Sequence, residues 1–481
     1  MLIKRSSKVA VLDLTHGGAV IVAKIKNLAA SVTGIDVYNT FKEEAASLLE
    51  KDGIRISRVP LEAADFDLLI APVHLDPNYP MLIGAEKNKI PVITHHAAVG
   101  EILNLSGYNL NNKTIIEITG TKAKTSTATL IAEILSLKKI PCESSNEESC
   151  EWGHGKKVIS HTSHGLEEWS TGRMIKKGLS ITPANVLTVM DEVSNAGIEP
   201  DVCIFEISLG GTGCADIGVI TTIANDYGIA GNTGLASKAK RQMLMNARAG
   251  STLVINHDAL RFFGACRKDV TIISFSDSIN ASCNVYYEDI SSKGGTIAYY
   301  FGNKKGRIKI IEAQDYDISS YKTAFVCAAA VALAMGIDER RIEEAFRQFK
   351  GAEGRMKKTS LDGITVIDNS NSGMDIRSAE KALVFSQEEA KKKEGGIVMV
   401  IGEEAKEVCE GLDPSGVARF IDKHMDELKA LVLVGERMQS LVLKYIKRNI
   451  YYTGDLPAGI EQAKKLSNKK DMILSCVKCF R

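Results

Sequence analysis

Ile115-Ile116-Glu117-Ile118-Thr119-Gly120-Thr121-Lys122-Ala123-Lys124-Thr125-Ser126-Thr127 runs from an apolar strand through a tight loop into a helix start. A phosphate cradle has this layout: loop N–H groups face the phosphates, a lysine meets the outer phosphates and the following hydroxyl holds Mg²⁺. Lys124 and Thr125 supply the lysine and the hydroxyl. The backbone half departs from the P-loop pattern, because Ile118 stands at the first glycine position and Ala123 directly precedes the lysine. A non-glycine residue held at positive φ costs roughly 1–2 kcal/mol, so either Ala123 carries strain or the loop bends differently. The competing reading is an ordinary strand-to-helix turn with a surface lysine.

Working outward, apolar strands are expected at 202–205, 219–223 and 252–255, each followed by a polar or glycine-rich loop. In open parallel sheets ligands bind at the carboxyl ends of strands, which is where these loops fall. Phe205-Glu206-Ile207-Ser208-Leu209-Gly210-Gly211-Thr212-Gly213 places one carboxylate at a strand end. Because Mg²⁺ takes one or two carboxylates plus phosphate oxygens, Glu206 and Thr125 would complete a metal–nucleotide site; a purely structural strand-end glutamate is the alternative. Asn225-Asp226-Tyr227 follows the next strand, and Lys238 and Lys240 follow on an expected helix start.

Upstream, residues 8–14 read as a buried strand, Thr15-His16-Gly17-Gly18 as a turn and 19–30 as a helix, opening a βαβ array that continues through 67–72 and 90–94. Downstream, strands are expected between 283 and 312, an alanine-rich helix over 321–336, and a second array with strands at 364–368, 397–401, 430–434 and 471–475. The run from Glu388 to Glu394 reads as a solvated helix end.

Composition narrows the class. A chain of 481 residues with 44% hydrophobic content can build several cores. Sixty Lys+Arg against 59 Asp+Glu leave a formal charge of +1, so no global field points to nucleic acid or an anionic membrane. No apolar run approaches the ~20 residues of a membrane span, and Met1-Leu2-Ile3-Lys4-Arg5 leads into a strand rather than a signal peptide. A cytoplasmic protein is expected. Of ten Cys, the closest pair is Cys476 and Cys479, and one CxxC cannot complete a tetrahedral zinc site.

Four of nine His, namely His16, His74, His95 and His96, fall in strand-end loops of the first array. They read as a substrate surface or an axial-type metal ligand, or as satisfied loop imidazoles. His161-Thr162-Ser163-His164-Gly165 is a polar loop of the second array that could face substrate through His164.

These segments, in this order, resemble the Mur-type ATP-dependent ligases, the group that includes muramyl-peptide ligases and folylpolyglutamate synthetase. Thr119–Ser126 resembles the family loop Thr-Gly-Thr-x-Gly-Lys-Thr/Ser, Phe205–Ser208 its Mg²⁺-binding glutamate segment, and Asn225-Asp226-Tyr227 its Asp-His loop with tyrosine replacing histidine. Val254–Asp258, Gly354-Arg355 and Ile367-Asp368-Asn369-Ser370 resemble further nucleotide-contacting segments, with Asn369 replacing an acid. The resemblance implies an α/β, three-domain Mur-ligase-like architecture. Its parts are a Rossmann-like substrate-binding domain (1–108), a central P-loop ATPase domain (109–352) and a C-terminal dinucleotide-binding-like domain (353–481). It also implies ATP and Mg²⁺ as cofactors. Gly120, Thr121, Lys122, Ala123, Lys124, Thr125, Ser126, Asn256, Arg355 and Asp368 would bind nucleotide, and Thr125, Glu206 and a carbamylated Lys240 would hold metal. Lys124, Glu206, Lys240 and Arg355 would form the catalytic set.

Val11–Gly18, Ala71–Pro77, Thr94–Gly100, Ser208–Gly213 and Asp368–Gly373 resemble one branch of the family. That branch activates a propionate of a nickel tetrapyrrole acid and closes a carbocyclic ring, releasing ADP and phosphate. His16, Gly17, Gly18, His74, His95, His96 and His164 are then the substrate candidates, with His16, His95 and His96 the candidate proton acceptors. Two rivals stand beside this reading: an amide-forming ligase adding an amino acid to a cell-wall precursor nucleotide, and a noncatalytic nucleotide-binding regulatory protein.

Overall fold

The computed structural model describes residues 1–105, 107–108, 110, 112–137, 155–224, 226–262, 267–291, 294–313, 315–404, 411–445 and 449–479. The chain divides into two compact units: Met1–Glu288 with Ile297–Ile308 and Thr323–Ala345, and Asp289–Thr296 with Lys309–Lys322 and Phe346–Arg481.

In the first unit, β1 (Lys8–Leu12), β2 (Ser31–Ile35), β3 (Arg55–Ser57), β4 (Leu68–Ala71) and β5 (Val92–Thr94) form a parallel sheet in the order β3-β2-β1-β4-β5. Val9, Ala10, Val11 and Leu12 are all buried, the continuous apolar run of a strand covered on both faces. The helix expected over 19–30 is shorter, Ala19–Ile25. Beyond it the chain turns back, and the Ala30 N–H bonds the Ser7 carbonyl at 2.9 Å to start β2.

The second sheet collects β6 (Thr114–Thr119), β7 (Val158–Thr162), β8 (Gly165–Glu168), β9 (Arg173–Lys176), β10 (Val202–Glu206) and β11 (Ile217–Ile220). After a small ribbon of β12 (Gly228–Ile229) and β13 (Gly234–Leu235), it adds β14 (Thr252–Asn256), β15 (Thr271–Ser276), β16 (Val285–Ser291), β17 (Gly294–Phe301) and β18 (Lys304–Ile311). Its order is β18-β17-β16-β15-β14-β11-β6-β10-β7-β8-β9. From β14 to β7 all neighbours are parallel, so the loops after β14, β11, β6, β10 and β7 gather on one edge. The strand expected over 219–223 ends at Ile220, because Thr222 turns its carbonyl to the Thr121 N–H at 2.8 Å.

Helices Ala19–Ile25, His95–Leu105 and Asn185–Asn195 share one apolar core with these sheets through Ile21, Val22, Ala98, Ile102, Val186, Leu187, Met190 and Phe205. Each of these Val, Leu, Ile, Met and Phe side chains contributes roughly 1.5–3 kcal/mol when fully buried.

The second unit carries β19 (Lys357–Leu361), β20 (Ile364–Asp368), β21 (Ile397–Glu403), β22 (Ala430–Val434), β23 (Ile450–Thr453) and β24 (Met472–Lys478) in the order β19-β20-β24-β21-β22-β23. Only β19 is antiparallel to its neighbour. Period-two alternation sends Met399, Leu431 and Leu474 into one core and Val400, Val432 and Ile473 into the other. The acidic–basic run begins within the helix Ile376–Lys393 and ends at its C-cap, Glu394. Cys476 and Cys479 are both buried, so that pair presents no ligands at the surface.

Candidate active site

The loop after β6 is built by two backbone features. Gly120 has φ 153°, and a Cβ there would overlap Thr221 Oγ1. Ala123 has φ 64° and ψ 5°, a left-handed residue immediately before the helix Lys124–Ser136. Of the two expectations for Ala123, the strained one holds. Lys124 is no surface lysine: 16% exposed, it folds back so that Nζ donates to the Gly120 carbonyl at 3.2 Å and lies 3.8 Å from Glu206 Oε1.

The register of β10 on β6 pairs Glu206 with Ile118, placing the carboxylate beside the loop. Glu206 is 2% exposed; its Oε2 accepts from the Thr125 hydroxyl at 2.9 Å and from the Ser163 N–H at 3.2 Å. Ser163 Oγ lies 3.2 Å from Thr125 Oγ1. Three neighbouring strands, β6, β10 and β7, thus deliver Lys124, Thr125, Glu206 and Ser163 to one point. Ser163 was absent from the sequence-derived set; its signal was its place directly after the strand that pairs with β10.

The next two loops brace this one. Thr121 Oγ1 donates to the Ala224 carbonyl at 2.7 Å, and Thr221 Oγ1 donates to the Lys122 carbonyl at 2.6 Å. Asn256, expected to touch nucleotide, is buried: Nδ2 donates to the Thr221 carbonyl at 2.8 Å and Oδ1 accepts from the Asp258 N–H at 3.2 Å. Asp258 accepts the Thr222 hydroxyl and the Ile223 and Ala224 N–H groups, and burial raises its pKa. Ser126 is buried within the first turn of the helix. On β6 itself, burial raises the pKa of Glu117, which accepts the Thr212 N–H at 2.8 Å and so fixes the loop after β10.

Lys240 is fully buried, with Nζ 4.9 Å from the centre of the Tyr227 ring, a cation–π distance. Asn225 lies outside the described residues. Asp226 accepts the Ser237 N–H at 2.9 Å at the start of the helix Ala236–Lys240.

The histidines separate into two kinds. His16 and His74 flank buried Asp13: His16 Nδ1 is 2.8 Å and His74 Nε2 3.2 Å from Asp13 Oδ2. Gly17 has φ 108°, and a Cβ there would come within 2.8 Å of the Ala184 Cβ; at Gly18 a Cβ would overlap the Asp13 carbonyl. Those glycines permit the turn that aims His16 at Asp13. His95 and His96 are turned inward instead. His95 Nε2 lies 2.9 Å from the Leu12 carbonyl and His96 Nε2 2.7 Å from the Ser208 carbonyl, and burial pushes both imidazoles down to about 4. His161 is also buried and lowered to about 4 by burial, against the raising influence of Glu206. His164 sits at the turn after Ser163, its N–H on Thr162 Oγ1 at 3.2 Å.

In the second unit, the Gly354 N–H donates to Asp368 Oδ2 at 3.2 Å, Arg355 Nη1 donates to Asn371 Oδ1 at 2.9 Å, and Asn371 Nδ2 donates to the Gly354 carbonyl at 2.7 Å. Asn369 turns away, with Nδ2 on Ser378 Oγ at 3.0 Å.

Comparison with known proteins gives a consistent result. Residues 358–479 match the family described as coenzyme F430 synthetase CfbE, C-terminal domain. The whole chain is 42% identical over 488 residues to the coenzyme F(430) synthetase of Methanosarcina acetivorans, covering 98% of this chain and 99% of that protein. The chain belongs to the coenzyme F(430) synthetase family. This family reaches into the wider Mur group: the UDP-N-acetylmuramoylalanine–D-glutamate ligase of Listeria monocytogenes is 24% identical, over 98% of this chain and 91% of that one. Among solved structures, MurF from Acinetobacter baumannii superposes with TM-score 0.56 at 15% identity over 81% of this chain and 78% of that one. The Mur-ligase α/β fold expected from the sequence is therefore the fold of this member of the F(430) synthetase family.

A metal–nucleotide complex fits the residues present. Hard oxygen donors from Thr125 and the buried Glu206 meet 2.9 Å apart, the donor type Mg²⁺ selects. The loop beside them begins at a glycine whose position leaves no room for a side chain.

Proposed function

We propose that this chain is an ATP-dependent ligase that converts a side-chain carboxylate of a nickel tetrapyrrole acid into an acyl phosphate and closes a carbocyclic ring, releasing ADP and phosphate. The observation that carries the reading is the full-length 42% identity to a coenzyme F(430) synthetase, joined to a loop that clusters Lys124, Thr125 and Glu206. A carboxylate is a poor electrophile, and phosphorylation gives it a good leaving group. Thr125 and Glu206 would hold Mg²⁺, which supplies charge neutralisation at the phosphates. Lys124, now 3.8 Å from Glu206, would swing to the outer phosphate oxygens and stabilise the charge spread over them during transfer.

The domain limits 1–108, 109–352 and 353–481 are proposed to correspond to the three sheets, with Arg355 and Asp368 supplying nucleotide contacts from the third. Lys240 would ligate Mg²⁺ as a carbamate, which supplies the oxygen donors that ion selects. The tetrapyrrole would meet the first sheet at His16, Gly17, Gly18 and His74, with His164 as a further contact.

In this ring closure the nucleophile is a carbon of the same macrocycle that gives up a C–H proton to a base as its bond to the acyl carbon forms and phosphate leaves, so the enzyme holds the two reacting groups together and excludes water. The test is incubation of the full chain with ATP, Mg²⁺ and the seco tetrapyrrole acid. The expected results are stoichiometric ADP and ring-closed chromophore, with loss of both in Lys124→Ala. ADP formation with a cell-wall precursor nucleotide plus amino acid instead would favour the amide-forming rival; no ATP cleavage with either would favour the regulatory one.

A further inference from the structure

In the first sheet, whose strands are all parallel, the order of winding reverses between β1 and β4. The chain winds outward through β1, β2 and β3 on one side, then starts again at β4 and continues to β5 on the other. Loops leaving adjacent strands at such a switch point part from one another and open a crevice at the strand carboxyl ends, the favoured ligand position in open parallel sheets. Asp13 and His16 leave β1 there, and His74 follows β4.

Three ligand-type side chains converge at this crevice. One ligand atom from each of Asp13, His16 and His74 lies within 4.8 Å of the other two, the one such group of three among the described residues. The distances from Asp13 Oδ2 are 2.8 Å to His16 Nδ1 and 3.2 Å to His74 Nε2. Neighbouring donors around an ion at bond lengths of roughly 2.1 Å stand about 3.0–3.4 Å apart, so both carboxylate–imidazole distances are already near those of ligands sharing one ion, and the two imidazole nitrogens lie within 4.8 Å of each other. The carboxylate is 1% exposed while the imidazoles are 37% and 31% exposed, which leaves an anchored charge beneath a face open to solvent. The backbone is committed to this arrangement: Asp13 takes φ 69° and also accepts the His16 N–H at 3.2 Å. His16 stands edge-on to His74 and Tyr38, at 5.3 and 5.7 Å between ring centres.

We propose that Asp13, His16 and His74 form a coordination site for a divalent first-row transition-metal ion. Two imidazoles and one carboxylate suit Ni²⁺, Zn²⁺ or Fe²⁺ and disfavour Mg²⁺, which selects oxygen. The ion has two possible sources. A free aqueous ion would take all three donors. Nickel already held by four ring nitrogens has only axial positions open and would take one imidazole, kept in orientation by its hydrogen bond to Asp13; that source rests on the proposed function.

The test titrates the full chain with NiCl₂ and ZnCl₂ by calorimetry, and separately with a water-soluble nickel porphyrin followed by absorbance. For the free ion, one equivalent binds, and His16→Ala, His74→Ala and Asp13→Asn each weaken it at least tenfold. For macrocycle nickel, the porphyrin spectrum shifts on binding and the shift disappears in His16→Ala or His74→Ala. Both histidines are partly exposed, so their variants keep the test open if Asp13→Asn fails to fold. The proposal is overturned if neither probe responds to any of the three substitutions; the cluster is then a hydrogen-bonded brace of the β1 loop. Triad-dependent Ni²⁺ binding in a wild-type chain that never cleaves ATP with the seco acid would remove the proposed function and leave this site standing.

Discussion

His96 offers a quantitative test of how the first unit is held together. Its ring is 3% exposed, and Nε2 reaches the Ser208 carbonyl at 2.7 Å, linking the helix after β5 to the loop after β10. Burial pushes the imidazole from 6.5 down to about 4. In the unfolded chain the ring titrates near its ordinary value, so between these two values the unfolded state binds more protons and stability falls as pH falls. At about pH 5 the loss relative to about pH 7.5 is roughly 2 kcal/mol for this one ring. His96→Gln keeps an N–H donor for Ser208 and removes the titration. Urea unfolding followed by circular dichroism at both pH values should therefore show wild type losing about 2 kcal/mol more than the variant on acidification. A wild-type-minus-variant difference that stays constant across that range would refute the buried, neutral imidazole. His16 should move the other way. The Asp13 hydrogen bond raises its pKa, so its stabilisation is full below the unfolded value and is lost as pH rises through the folded one.

Other outcomes follow from the loop after β6. Ala123→Gly removes left-handed strain of roughly 1–2 kcal/mol and adds about 0.5–1 kcal/mol of unfolded-state entropy; chemical denaturation should show a stabilisation of up to about 1.5 kcal/mol, and clear destabilisation would contradict the φ of 64°. Gly120→Ala drives a Cβ into Thr221 Oγ1 and should abolish binding of a fluorescent ATP analogue; undiminished binding means the loop has another shape. Glu206→Ala takes away the partner of the Thr125 hydroxyl and should raise the Mg²⁺ concentration for half-maximal ADP formation at least tenfold, about 1.4 kcal/mol; an unaltered Mg²⁺ curve would separate Glu206 from the metal. Ile21→Ala, in the core shared by both sheets, should cost about 2–5 kcal/mol in urea unfolding, and a cost below about 1 kcal/mol would place that helix outside the cooperative unit.

Much of the loop cluster after β6 was readable from local pattern. A strand, a short loop and a helix are contiguous in sequence, so Lys124 and Thr125 announce themselves, and Glu206 shows as a lone acid at the end of an apolar strand. Arg355 and Asp368 share a local network through Gly354 and Asn371. The histidines were not readable in the same way. All four follow strand ends in the sequence, but His95 and His96 begin a helix whose buried face takes them inward, while His16 and His74 remain at the opening. Asn256, an expected nucleotide contact, also caps the helix His257–Leu260 and supports Thr221, a role that only the fold shows.

Sequence alone set the alternation of apolar strands with helices, the phosphate-type loop and the chemical identity of its donors, because these depend on side-chain period and on neighbours along the chain. Tertiary structure decided which donors meet. Ser163 reaches Glu206 across 43 residues and His74 reaches Asp13 across 61, distances closed by strand order and register. The same packing divided one residue type into the buried rings of His95 and His96, whose loss of water lowers their pKa, and a partly exposed, carboxylate-held pair, His16 and His74.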